Sequence, residues 1–243
     1  KVAWHFKLWG CTTLIFMFLM GRVLIDDKIY YSYLDSRLLY LLNQFGTRID
    51  SRNYEAIKFD IIKNRKLSKN GIEELVIRIC RVLMPAGYEK IILKYFYPSI
   101  EFAEKHFLHP YKEAKGTLEL LSENYKIGII ANEDKMILSI LDKYELSTYF
   151  NCCIFSYEDN KEPDKEILRL VQNMLNIRLG ESVMVGDRLD TQLQTANTLG
   201  IITIRFTNSI FKLQEVRNQD EIPNFTISNL RQLISISQEI KPH

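Results

Sequence analysis

Residues 182–200, SVMVGDRLDTQLQTANTLG, constrain this chain more than any other stretch. A short apolar run (Val183, Met184, Val185) halts at Gly186-Asp187, and Leu189, Leu193, Ala196 and Leu199 then recur at helical spacing. Three apolar residues without alternation predict a strand buried on both faces, feeding a helix with one apolar side. A carboxylate at the carboxyl end of such a strand lies where open α/β sheets receive their ligands.

The second half of the chain repeats that grammar. Residues 126–131, 151–156, 201–206 and 224–227 read as strands, and 112–124, 134–144, 163–175, 190–199 and 229–236 as helices. Strands alternating with helices predict an α/β fold, a doubly wound parallel sheet covered on both faces. Residues 1–12 read as a strand ending in a glycine turn, and 13–25 as a β-prone piece with Met20-Gly21 at a hairpin tip. From 29 to 107 the pattern is helical. Tyr30, Tyr33, Leu34, Leu38, Leu41, Leu42 and Phe45 recur at three- and four-residue steps before Gly46. Further helices are predicted over 53–66, 71–84 (stopped by Pro85) and 88–107, the last broken at Pro98. An insert of about eighty residues is too long for a loop and reads as an α-helical cap. The expected domains are therefore 1–28 with 108–243 as the α/β core and 29–107 as the cap.

Composition excludes several classes. The 243 residues are 47% hydrophobic and 26% charged, enough for a full core. The 32 basic and 30 acidic residues are spread along the chain, so nucleic acid is not an implied partner. Cys11, Cys80, Cys152 and Cys153 lack metal-ligand spacing and read as reduced thiols of a cytoplasmic protein. Residues 8–25 hold one charge, Arg22, but glycines and threonines interrupt them, and a buried strand is preferred to a membrane span. His5 reads as a packed histidine, His106 and His109 as flanking the return from cap to core, and the tyrosines of the insert as packing.

Four segments resemble the haloacid dehalogenase-like hydrolases. They are KIGIIANED (second motif), FSYEDNKEPDKEIL (third), VMVGDRLDTQLQTANTLGI (fourth) and NFTISNLRQL (closing strand and helix). The resemblance implies a Rossmann-like core with a helical cap behind the first strand. It also implies a chemistry. An Asp on the first strand attacks phosphorus, and a second Asp two residues on relays protons. A hydroxyl and a Lys hold the phosphoryl oxygens, and acids of the fourth motif keep Mg²⁺ in place. A carboxylate and a phosphate repel one another, so cations have to offset the approach.

This chain departs from that pattern at position after position. The first motif fits in two registers. The preferred one puts Lys7 at the nucleophile position and Trp9 at the acid/base position; the other gives Phe18 and Met20. Ala131 stands for the hydroxyl and Glu162 for the lysine, with Lys161 one residue off. Asp187 survives, Asp190 is present, and Gln192 replaces the later acid. Lys7 and Glu162 carry the family's two charges with signs exchanged, so Lys7, Glu162 and Asp187 are expected to form a structural ion-pair cluster. Lys7, Lys161, Arg188 and Asp187 could alternatively meet an anion.

The leading expectation is accordingly a catalytically inactive member, a pseudoenzyme with no catalytic residue, no bound metal and no Mg²⁺. It would act by protein interaction, scaffolding or regulation, with a protein partner or as a homo-oligomer. Two alternatives stand beside it: a phosphohydrolase with a non-standard active site, and an anion-binding module without turnover.

Overall fold

A computed structural model describes residues 4–6, 16–65, 67, 71–131, 134–155 and 165–240. They form two compact units, one within Lys1–Ile25 and Pro110–His243, the other Asp26–His109.

The first unit is built on a sheet. Among the described residues seven strands join in one sheet: β1 (Trp4–Phe6), β2 (Phe16–Met20), β5 (Lys126–Ala131), β6 (Cys152–Phe155), β7 (Val183–Gly186), β8 (Ile202–Phe206) and β9 (Phe225–Ile227). Their order is β1-β6-β5-β2-β7-β8-β9. All neighbours from β6 to β9 pair in parallel, and only β1 runs antiparallel, against β6. Val183, Met184 and Val185 are fully buried, as are Ile127 and Ile129, which is why these runs show no polar alternation. Helices α5 (Ala114–Ser122), α6 (Asp134–Lys143), α7 (Lys165–Leu175), α8 (Gln194–Asn197) and α9 (Gln232–Glu239) lie between or after the strands. The doubly wound α/β expectation holds.

Two short strands, β3 (Ile25–Asp26) and β4 (His109–Pro110), pair where the chain leaves the first unit and returns to it. The second unit is helical: α1 (Lys28–Gln44), α2 (Ser51–Lys63), α3 (Gly71–Leu83) and α4 (Tyr88–Phe107). Gly46 ends α1 with φ +92, a conformation that L side chains avoid. Asp50 caps α2, its carboxylate accepting from the Asn53 N–H at 2.7 Å. Pro98 was expected to break the last helix, yet α4 runs through it. Ile92, Phe96, Ile100 and Ala103 are buried on both sides of the proline, and that packing outweighs the one lost hydrogen bond.

β2 corrects two expectations. No hairpin forms at Met20-Gly21, because residues 16–20 pair in parallel with both β5 and β7. This strand, not β1, is the central one. After β2 the chain builds outward through β5 and β6, then crosses to β7 on the other flank. That reversal makes the carboxyl end of β2 the topological switch point, where an open α/β sheet has its crevice. The first-motif register with Lys7 and Trp9 is thereby displaced by the one with Phe18 and Met20. Phe18 lies level with Gly128 and Met184 in the two neighbouring strands.

Candidate active site

β7 ends at Gly186, and the chain turns off the sheet with three successive backbone N–H groups. The Gln192 Oε1 accepts from Asp187 N at 3.1 Å and from Arg188 N at 3.4 Å, and the Gln214 Oε1 accepts from Leu189 N at 2.9 Å. Two glutamine carbonyls thus satisfy three donors that would otherwise be stranded in the interior. Gly186 makes room for this arrangement. A Cβ there would stand 2.7 Å from Gln192 Oε1 and 3.3 Å from Leu193 Cδ2. The predicted helix over 190–199 opens with a π turn, Leu189–Leu193, closed by Leu193 N donating to Arg188 O at 3.1 Å. The wider turn is the geometry in which Gln192 folds back on the strand end.

Asp187 is buried at 4% exposure, and burial pushes its carboxyl pKa up; the Ser209 hydroxyl, Arg188, Arg22 and its own backbone act the other way. Arg22 lies in the 3₁₀ turn Gly21–Leu24 that follows β2. Arg188 is buried as well. Its Nε donates to Asp190 Oδ1 at 3.3 Å and its Nη2 to Oδ2 at 3.3 Å, and its guanidinium stacks 4.9 Å from the Phe211 ring centroid. Gln214 Nε2 adds a bond to Asp190 Oδ1 at 3.0 Å. The segment after β8 that supplies Ser209, Phe211 and Gln214 is itself tied down. Arg205 Nη2 donates to the carbonyls of Gln214 at 2.7 Å and of Phe211 and Lys212 at 3.3 Å each. The Tyr111 hydroxyl donates to Asn208 O at 2.8 Å.

The structure brings together Asp187, Arg188, Asp190 and Gln192 of the expected positions. Ala131 is the last residue of β5, at the same edge of the sheet. Lys7, Trp9, Lys161 and Glu162 lie outside the described residues, so the ion-pair cluster proposed for Lys7, Glu162 and Asp187 is represented here by Asp187 alone. Arg22, Ser209, Phe211, Gln214 and Arg205 were not singled out as site residues. Arg22 did leave a signal, as the single charge in residues 8–25. Arg205 lies in the strand predicted over 201–206, and the others follow β8 in a stretch whose sequence has no period to place them.

Known proteins supply the remaining step. The sequence profile of the Haloacid dehalogenase-like hydrolase family matches residues 54–206, more than half of the chain. The chain belongs to this family. A glyceraldehyde 3-phosphate phosphatase of Methanopyrus kandleri is 29% identical over 142 residues, 55% of this chain and 59% of that protein. The chain thus spans under two thirds of that relative's length. Among solved structures, a predicted phosphoglycolate phosphatase of Haemophilus somnus superposes with TM-score 0.66 at 16% identity, covering 94% of this chain and all of the other. A haloacid dehalogenase-type hydrolase of Bacillus subtilis bound to magnesium gives 0.62 at 18%, covering 93% and 100%. Both structures support the haloacid dehalogenase-like core.

Family membership overturns the expectation of a silent scaffold. The matched family is one of hydrolases, and the curated relatives are phosphatases. The expectation rested on counting missing side chains at motif positions, partly on a strand that proves to be at the sheet's edge. What stays true is that positions 18 and 20 carry no carboxylate.

The expectation of no magnesium falls with it, since the family's phosphatases use that ion and one structural relative holds it. Among the described residues no three carboxylate, imidazole or thiol groups converge. Mg²⁺, however, is commonly held by one or two carboxylates together with waters and substrate phosphate. Asp187, a buried carboxylate at the carboxyl end of β7, is a donor of the kind that ion takes. Asp190 is engaged by Arg188 and Gln214. No helix among the described residues is long and apolar enough to cross a membrane.

Proposed function

We propose that this chain hydrolyses a small phosphate monoester, using a side-chain set that departs from the family's usual one at the carboxyl edge of β2 and β7. One observation carries the reading: Asp187, a buried carboxylate at the end of β7, with the Ser209 hydroxyl and the charges of Arg188 and Arg22 acting on it. The relatives' glyceraldehyde 3-phosphate phosphatase activity supports a short phosphorylated carbohydrate as the substrate class. The helical insert serves as the cap, as its place behind the first motif implies, and the unpaired thiols Cys80, Cys152 and Cys153 fit a cytoplasmic setting.

When bound, Mg²⁺ would neutralise phosphate charge and polarise the phosphorus centre; Asp187 would be its carboxylate. Arg22 adds positive charge at the end of β2, favouring a phosphate dianion there. Because Phe18 and Met20 carry no attacking oxygen, that oxygen is water's. It forms the new P–O bond as the ester P–O bond breaks, and a proton of that water ends on the departing alkoxide.

The test is release of inorganic phosphate from glyceraldehyde 3-phosphate, phosphoglycolate and p-nitrophenyl phosphate, with and without Mg²⁺, by the native chain and Asp187→Asn. Turnover that drops about a hundredfold or more in Asp187→Asn is expected. Equal rates of release in the two proteins would remove Asp187 from the reaction, and no release by the native chain, with or without thermal stabilisation by the esters, would overturn hydrolysis.

A further inference from the structure

We infer that Gln192 is a positioning residue for Asp187, and that its neutrality leaves the site one negative charge short of what its geometry could hold. The inference rests on the phosphohydrolase reading but reaches a residue that reading does not use. Gln192 is buried at 6% exposure, and its Oε1 accepts from the N–H of Asp187 and of Arg188, at 3.1 and 3.4 Å. These two bonds fix the backbone from which the Asp187 carboxylate projects. The absent side chain of Gly186 is an independent sign of the same fit, since a Cβ there would meet Gln192 Oε1 at 2.7 Å. The amide therefore takes a place kept clear for it. An amide oxygen can accept from these N–H groups as a carboxylate oxygen can, yet only the carboxylate adds charge toward a cation. Gln192 thus keeps the backbone fixed while lowering the pull on a divalent ion. Partners that orient a metal's ligand typically matter ten- to a hundredfold in its affinity.

The experiment compares the native chain with Gln192→Met, Gln192→Glu and Gly186→Ala. Hydrogen exchange is followed at the Asp187 and Arg188 amides, and the dissociation constant for Mn²⁺ alone is measured by electron paramagnetic resonance. In Gln192→Met, with similar bulk and no acceptor oxygen, both amides should exchange about tenfold faster and Mn²⁺ should bind about tenfold more weakly. Gly186→Ala, which leaves both side chains in the sequence, should shift both readouts in the same direction. Gln192→Glu should restore amide protection and bind Mn²⁺ more tightly than the native chain. Unchanged exchange or unchanged Mn²⁺ affinity in Gln192→Met would overturn the assignment. Absence of phosphate release by the native chain, with these results intact, would sink the hydrolase reading alone.

Discussion

Arg188 and Asp190, two residues apart in sequence, meet through two parallel hydrogen bonds, with 3% of the arginine side chain and 14% of the aspartate exposed. A pair so far from water differs from a surface ion pair, because each partner has given up its hydration for the other. Asp190→Ala removes two bonds from the Arg188 guanidinium and frees Gln214 Nε2, while Asp187 stays as a counter-charge near the arginine. The expected loss is about 1.5–3 kcal/mol of folding stability. In a chain of this size each kcal/mol lowers Tm by about 2–4 °C. Urea unfolding of Asp190→Ala and of Asp190→Asn, which keeps one acceptor, measures it. A loss under about 1 kcal/mol in the alanine variant would show that water replaces the carboxylate.

How much of this could be read beforehand varies with the physics at each place. β7 was legible because a strand covered on both faces has to be apolar throughout, and Val183 to Val185 are. The sheet's central strand was not. Residues 4–6 and 16–20 are both short β-prone runs, and periodicity carries no information on which of two such runs finds the middle of a sheet. The usual tie-breaker, a carboxylate at the strand's end, is missing from both. Gln192 was legible as a departure from the family, yet its role depends on a π turn that no local spacing announces. The polar ring of Ser209, Gln214 and Arg205 was hidden for another reason. Its bonds run to backbone atoms or across twenty or more residues, from Gln214 to Asp190 and Leu189.

The buried thiols give a chemical prediction. Burial pushes Cys80 and Cys152 up to about 12 and Cys153 up to about 11, with smaller contributions from Glu89, the neighbouring Cys153 and Asp142 respectively. A thiolate is the reactive form, so all three should be silent to a disulfide reagent at about pH 8 and react only in denaturant. Cys11→Ser removes the fourth thiol from the count. Reaction of any of the three within minutes in the native chain would contradict their burial.

The same shifts fix how stability should depend on pH in alkali. A thiol whose pKa is higher in the folded chain holds its proton there after the unfolded chain has released it. Its contribution is complete below the ordinary value of 9.0 and is lost as pH climbs through about 11 to 12. The denaturant midpoint should therefore fall across that window, and replacing Cys152 and Cys153 by Ala should flatten the fall. An unchanged slope in the double variant would assign the alkaline loss to other groups.

In the helical unit, Asp35 is the shared acceptor of two donors, one on the buried Tyr54 and one on the half-buried Lys58. The Tyr54 hydroxyl donates to its Oδ1 at 2.8 Å and the Lys58 ammonium to its Oδ2. Glu55, 60% exposed and 3.9 Å from the ammonium, is a weaker substitute. Asp35→Ala should cost about 3–5 kcal/mol, while Tyr54→Phe, losing one bond to a charged group, should cost about 1.5–3 kcal/mol. Replacing Asp35 and Lys58 together by apolar residues of similar size should recover most of the first loss. If the double variant is no more stable than Asp35→Ala, the pair contributes more than the mutual neutralisation of two buried charges.

Arg205 gives a prediction about local rather than global stability. Its guanidinium is a staple from β8 to three carbonyls of the 211–214 segment, which carries Phe211 and Gln214 into the site. Nη2 has two N–H groups to share among these carbonyls, so together the bonds contribute about 1.5–3 kcal/mol to holding the segment closed, and about 1.4 kcal/mol is a tenfold change in its opening. Lys212 and Arg217 are exposed in the same stretch, so trypsin reports that opening directly. Arg205→Ala should be cut after Lys212 or Arg217 at least about tenfold faster than the native chain under native conditions. Arg205→Lys should fall between them, since it keeps the charge but its shorter side chain ends one bond before the position of Nη2. Were cleavage to accelerate only in proportion to the change in global unfolding measured by urea, the segment would open with the whole sheet, and Arg205 would be an ordinary contributor to the core rather than the latch on this loop.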